Sequence, residues 1–80
     1  MSGAGIDDGD LLVVDRAVEP MEGKIAICFV DGEFTVKRLG REGAEWLLLP
    51  ANPKYRPIRV SREDELMIWG VVTYVIKHLP

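Results

Sequence analysis

From Lys24 to Leu39 apolar residues alternate with polar or small ones, and the alternation breaks once, at Asp31-Gly32. A period of two marks half-buried strands. Asp-Gly between two such runs marks a hairpin, because a type I′ turn needs φ > 0 at both central residues. That turn sets the predicted register: Phe29 opposite Phe34, Ile27 opposite Val36, Ala26 opposite Lys37. Ile25, Ile27, Phe29, Phe34 and Val36 then share one face, which reads as the core face. Ala26, Cys28, Thr35, Lys37 and Leu39 share the other. Lys37 stands there among small neighbours, with room beside it; a lysine in a strand usually faces water.

The rest of the chain predicts short strands around this hairpin. Met1 to Asp10 is a glycine-rich opening that closes on a turn at Asp8-Gly9, and Leu11 to Val14 is a short apolar strand between aspartates. Arg16 to Gly23 is a connector, Gly40 to Gly43 a charged turn, and Glu45 to Leu49 a strand stopped by Pro50. Pro50 to Pro57 holds three prolines in eight residues and is expected to run extended over the surface. Ile58 to Val60 is a strand and Ser61 to Glu65 a polar turn. Leu66 to Lys77 is rich in β-branched and aromatic residues, which predicts a long strand bent at Gly70. Strict alternation puts Leu66, Ile68, Val72, Tyr74 and Ile76 on one of its faces and Met67, Trp69, Val71 and Val75 on the other. Two apolar faces call for a central position in the sheet or a partner subunit over Trp69, Val71 and Val75. The fold class is all-β, one domain over residues 1–80.

Composition narrows the function. Apolar content of 48% and charged content of 29% belong to a soluble globular chain. A net charge of −3 argues against a nucleic-acid groove, which needs a basic stripe. The lone Cys28 excludes an internal disulfide. No membrane span or signal peptide is visible, so a cytoplasmic protein is expected. Asp7, Asp8 and Asp10 lack the spacing of a calcium loop, and turn chemistry accounts for them; no metal or cofactor is expected. Cys28 reads as structural, His78 as solvated, and Trp46 and Trp69 as core or interface anchors.

Four stretches carry a resemblance when taken together: Gly5-Ile-Asp-Asp-Gly-Asp-Leu-Leu-Val-Val-Asp15, Val30-Asp-Gly-Glu-Phe-Thr-Val-Lys-Arg-Leu39, Leu49-Pro-Ala-Asn-Pro-Lys-Tyr-Arg-Pro-Ile58 and Trp69-Gly-Val-Val72. In order and with this spacing they resemble the C-terminal domain of the LexA/UmuD family, the self-cleaving proteins of the bacterial SOS response. The hairpin and the Trp-Gly-Val-Val ending look more like UmuD than like LexA. The resemblance implies a Ser-Lys dyad, in which a serine hydroxyl attacks an Ala-Gly or Cys-Gly bond of the protein's own N-terminal arm and a lysine takes its proton. It places that general base at Lys37. A lysine used in this way must be held uncharged by apolar surroundings, which the docked arm would complete.

The family's serine immediately precedes a methionine, and the spacing puts that methionine at Met1. The nucleophile would then stand just before residue 1, outside these 80 residues, as would the cleavable arm. Ser2 follows the methionine instead of preceding it, several ångströms from the position that proton transfer requires. The chain is expected to carry the base of a serine peptidase without its nucleophile, either as a fragment or through a frame opened at an internal methionine, and so to be inactive alone. By resemblance it is a homodimeric, UmuD-like accessory subunit of an error-prone translesion DNA polymerase, its cleavage stimulated by the recombinase filament. The alternative is the dimerisation and self-cleavage domain of a LexA-like or phage transcriptional repressor. A signal-peptidase-type relative also uses Ser-Lys, but no membrane anchor supports it.

Overall fold

The computed structural model describes residues 5–50, 57–60 and 66–79. These form one sheet of six antiparallel strands: β1 (Leu11–Asp15), β2 (Ile25–Val30), β3 (Glu33–Glu42), β4 (Glu45–Leu49), β5 (Ile58–Val60) and β6 (Leu66–Ile76). The order across the sheet is β1-β6-β2-β3-β4-β5, so the C-terminal strand lies between the first two. The all-β expectation holds. The expected extended run after Pro50 and the polar turn at 61–65 lie outside the described residues, as do Met1 and Ser2.

The hairpin forms in the predicted register, Phe29 opposite Phe34 and Ala26 opposite Lys37. Asp31 and Gly32 take φ of 49° and 87°, the left-handed pair that a type I′ turn requires. The second arm is longer than expected. β3 continues through Gly40 to Glu42, and the turn shrinks to Gly43-Ala44. Gly40 is therefore inside a strand, opposite Leu47, where a Cβ would lie 3.0 Å from Leu49 Cδ1. Its missing side chain makes space for leucine packing and forms no turn.

The face assignment is corrected. The core is the face that carries the small residues: Ala26, Cys28, Leu39, Leu48 and Val60 are buried together, with Val30, Trp46 and Ile68 packed against them. Phe34, assigned to the core face by alternation, is 63% exposed and lies against Phe29, ring centroids 4.8 Å apart. A single sheet buries a face by bending over it or by folding its connections across it, and the inside of a bend has less room per residue. Ala26 and Cys28 lie on the buried side with Leu39 and Leu48, and Phe34 on the exposed one. We call these the inner and outer faces.

A second correction concerns β6. Ile27 pairs with Gly70 but Cys28 with Ile68, so Trp69 is an extra residue and the alternation reverses there. Val71 joins Ile68 on the inner face and is only 1% exposed. Gly70 is the hinge of this bulge, and a Cβ on it would overlap Val14 Cγ1. A second register shift, at Val13/Val14 against β1, leaves Thr73 unpaired, and its hydroxyl donates to the Val13 carbonyl at 3.1 Å.

The chain's beginning is tied to its end. Lys77 Nζ donates to the carboxylates of Asp7, at 3.0 Å, and Asp10. The lysine's hydrogen bond and the Asp7 N–H hold the Asp10 carboxyl below the usual carboxylate range, and the two carboxylates raise Lys77 above its own. A lowered acid contributes stability that is lost on acidification; a raised amine contributes stability that is lost as an alkaline titration passes it. The clasp therefore holds in the window between them. Two of the three aspartates expected to serve turn chemistry, Asp7 and Asp10, make this contact.

Candidate active site around Lys37

The type I′ turn fixes which residues of β3 face inward, and Lys37 is one of them. It stands opposite Ala26, diagonal to Cys28, and next on its face to the fully buried Leu39. Its side chain is half-buried and lines a cavity of about 330 Å³. Val30, Leu48 and Ile58 supply apolar wall, Thr35 a hydroxyl, and Asp31 and Glu33 an acidic rim at the hairpin tip. Among the described residues no carboxylate lies within ion-pair distance of Lys37. Its surroundings are thus three apolar side chains, a hydroxyl and two carboxylates at the rim, with room above for a second chain segment.

Alternation along β3 already puts Glu33 and Thr35 on the face of Lys37, four and two residues back. The walls from β4 and β5 carry no such local signal. They arise because Leu39 pairs with Leu48, which pairs in turn with Ile58.

Cys28 lies in the same neighbourhood. Burial pushes its thiol up, and the positive charge of Lys37 pulls it partly back. A thiol held protonated is a poor nucleophile, in keeping with a structural role. His78 is exposed at the end of the chain. The two tryptophans carry guanidinium groups on their rings: Arg16 lies 4.6 Å from the Trp69 centroid and Arg41 4.4 Å from that of Trp46. Arg16 also donates to the Trp69 carbonyl at 3.1 Å.

The residues expected to meet a partner are placed differently from one another. Val71 is enclosed by its own chain, so the expectation that it faces a partner is corrected. Trp69 and Val75 are half-buried. The exposed apolar side chains of this region are Leu11 (65%) and Val13 on β1 and Tyr74 (71%) and Ile76 on β6. They are cross-strand neighbours, Leu11 opposite Ile76 and Val13 opposite Tyr74, and so form one patch.

Comparison with known proteins places the chain in a family. Residues 1–73 match the family described as Peptidase S24-like. The chain is 42% identical over 80 residues to a LexA repressor of Bordetella pertussis, covering 100% of this chain and 37% of that protein. It is 46% identical over 82 aligned positions to Protein ImpA of Salmonella typhimurium (95% of this chain, 51% of that one). It is 49% identical over 72 residues to a LexA repressor of Oleidesulfovibrio alaskensis (90% and 35%). The chain thus spans between about a third and about half of the length of these relatives.

Proposed function

This chain belongs to the Peptidase S24-like family, and from that premise we propose that it is the lysine-bearing part of a self-cleaving Ser-Lys peptidase domain. In this reading Lys37 is the general base. Its Nζ takes the proton of a serine hydroxyl supplied by the residue immediately before Met1. The freed oxygen attacks the carbonyl carbon of a peptide bond in an N-terminal arm laid over the cavity. The carbon–nitrogen bond then breaks, and the proton passes from Nζ to the departing amine. The observation that supports the reading is the half-buried Lys37, which lines a cavity with Val30, Leu48, Ile58 and Thr35 and has no carboxylate at ion-pair distance among the described residues. Reading the coding DNA upstream of Met1 tests it. An in-frame serine codon directly before Met1 is expected, and any other codon there removes the dyad.

The biological setting follows the same premise. The hairpin and the Trp69-Gly-Val-Val72 ending favour a UmuD-like accessory subunit of a translesion DNA polymerase, acting in the bacterial cytoplasm during the SOS response. The LexA repressors among its relatives favour a second reading, the self-cleavage domain of a transcriptional repressor. The same upstream DNA separates the two: a short arm fits the first, a helix-turn-helix domain the second.

Either role implies a homodimer. The patch of Leu11, Val13, Tyr74 and Ile76 is the surface we assign to it, at a sheet edge where β1 has no outer neighbour among the described strands. The chain is expected to sediment as a dimer at micromolar concentration, and Ile76→Glu to sediment as a monomer there with its circular dichroism unchanged. A wild-type monomer, or a dimer that survives Ile76→Glu, refutes the assignment.

A further inference from the structure

The segment that enters β1 is held at several points, although β1 itself has no outer neighbour among the described strands. Ile6 is buried, at 7% exposure. The Asp7 N–H donates to the Asp10 carboxylate at 2.8 Å and the Asp10 N–H to the Asp7 carbonyl at 3.1 Å, so the turn closes on itself. Lys77, the residue after β6, then bridges both carboxylates. The Asp10 side chain is only 5% exposed, so this part of the clasp is little screened by solvent ions.

Where this segment is fixed bears on what precedes it. Lys37, Ala26, Val71 and Asp15 are successive partners across the sheet and form one row. Asp10 precedes Asp15 by five residues, and β1 lies three strand spacings from β3. At about 3.3 Å per residue and about 4.8 Å per strand, the clasp is about 22 Å from Lys37. Seven peptide links separate Asp7 from the residue before Met1, a reach of at most about 24 Å. A tether with so little slack delivers its far end to a small region only when its near end is fixed.

We propose that Asp7, Asp10 and Lys77 are positioning residues for the serine nucleophile: their clasp fixes the start of the tether that carries the hydroxyl to Lys37. The proposal rests on the Ser-Lys reading. With the clasp open, the fixed point moves from Asp7 to Leu11 and the tether gains four residues. The hydroxyl then spends less of its time within hydrogen-bond reach of Nζ. The clasp itself makes no contact with Lys37, so its loss changes how often the dyad assembles and leaves the proton transfer as it was.

The test is the first-order self-cleavage rate of these 80 residues joined to a serine-bearing arm, in place of the aligned segment of the Bordetella pertussis LexA repressor. Lys77→Met is expected to slow cleavage about tenfold, and Lys77→Arg, which keeps the bridge, less than about threefold. The pH at which the rate rises should be the same in all three, because Lys37 is untouched. Inserting Gly-Gly between Gly3 and Ala4 supplies slack by another route. In that background Lys77→Met should change the rate less than about twofold, whereas a role confined to stability would leave the tenfold loss in place. Circular dichroism and sedimentation matching the parent qualify each variant. Asp7→Asn, at a side chain 66% exposed, is expected to slow cleavage about threefold and decides if Lys77→Met alters either. A qualified Lys77→Met that cleaves within about twofold of the parent overturns the role of the clasp alone, as does an undiminished loss in the lengthened background. A parent that does not cleave, or that cleaves equally well with Lys37→Ala, overturns the Ser-Lys reading and the clasp's role with it.

Discussion

Lys37→Ala is expected to lower self-cleavage about a thousandfold once these 80 residues are joined to a serine-bearing arm. The chimaera that tests this carries them in place of the aligned segment of the Bordetella pertussis LexA repressor, which this chain matches over its whole length. A positioned general base contributes typically about 10²–10⁴ to a proton-transfer step. The expected loss lies within that range. Lys37→Arg should fail nearly as badly. A guanidinium keeps length and charge but does not give up its proton in proteins, so it cannot act as a base. The pair of variants separates two roles: if Lys37 only attracted the arm by its charge, arginine would rescue. The measurement is the first-order rate at alkaline pH, where a lysine amine is more often uncharged, with circular dichroism to show that the fold is kept. A rate within tenfold of the parent for Lys37→Ala removes Lys37 from the reaction.

Which parts of this site were legible in the sequence follows from how local each determinant is. Asp31-Gly32 fixes a turn, the turn fixes the register, and the register puts Lys37 opposite Ala26; each step spans a few residues. What lies above Lys37 is not local. Leu48 and Ile58 reach the cavity only through two further strand pairings, β3 with β4 and β4 with β5. The buried face was also hidden, because both faces of the hairpin carry apolar residues and alternation alone cannot rank them. The buried cluster draws on Ala26, Cys28, Leu39, Leu48 and Val60, while Ile27 and Phe34 lie on the other face. In β6 the alternation itself fails at Trp69. A bulge has no signature in a run where every residue is apolar, and Gly70 marked a bend without revealing the reversal that buries Val71.

The face correction leads to the second large effect: Leu39→Ala should cost about 2–5 kcal/mol and Phe34→Ala no more than about 1.5. Leu39 is fully buried opposite Leu48, at the centre of the cluster that joins β2, β3, β4 and β5. Truncating it loses the transfer free energy of its methyl groups and leaves a cavity that Ala26 and Cys28 are too short to fill. Phe34 is 63% exposed, so truncation removes mainly its stacking on Phe29. A chain of 80 residues has a total stability of roughly 4–12 kcal/mol, so the first variant takes a large part of it and the second little. At about 4–8 °C per kcal/mol, Leu39→Ala should lower Tm by at least about 8 °C. Urea unfolding of the three proteins in parallel measures the costs, since the linear extrapolation compares midpoints at a shared slope. Had alternation ranked the faces correctly, Phe34 would be a core residue and its loss would cost about 3 kcal/mol or more, as much as that of Leu39. Equal costs would therefore return the core to the outer face and take away the buried floor beneath Lys37, on which the site depends.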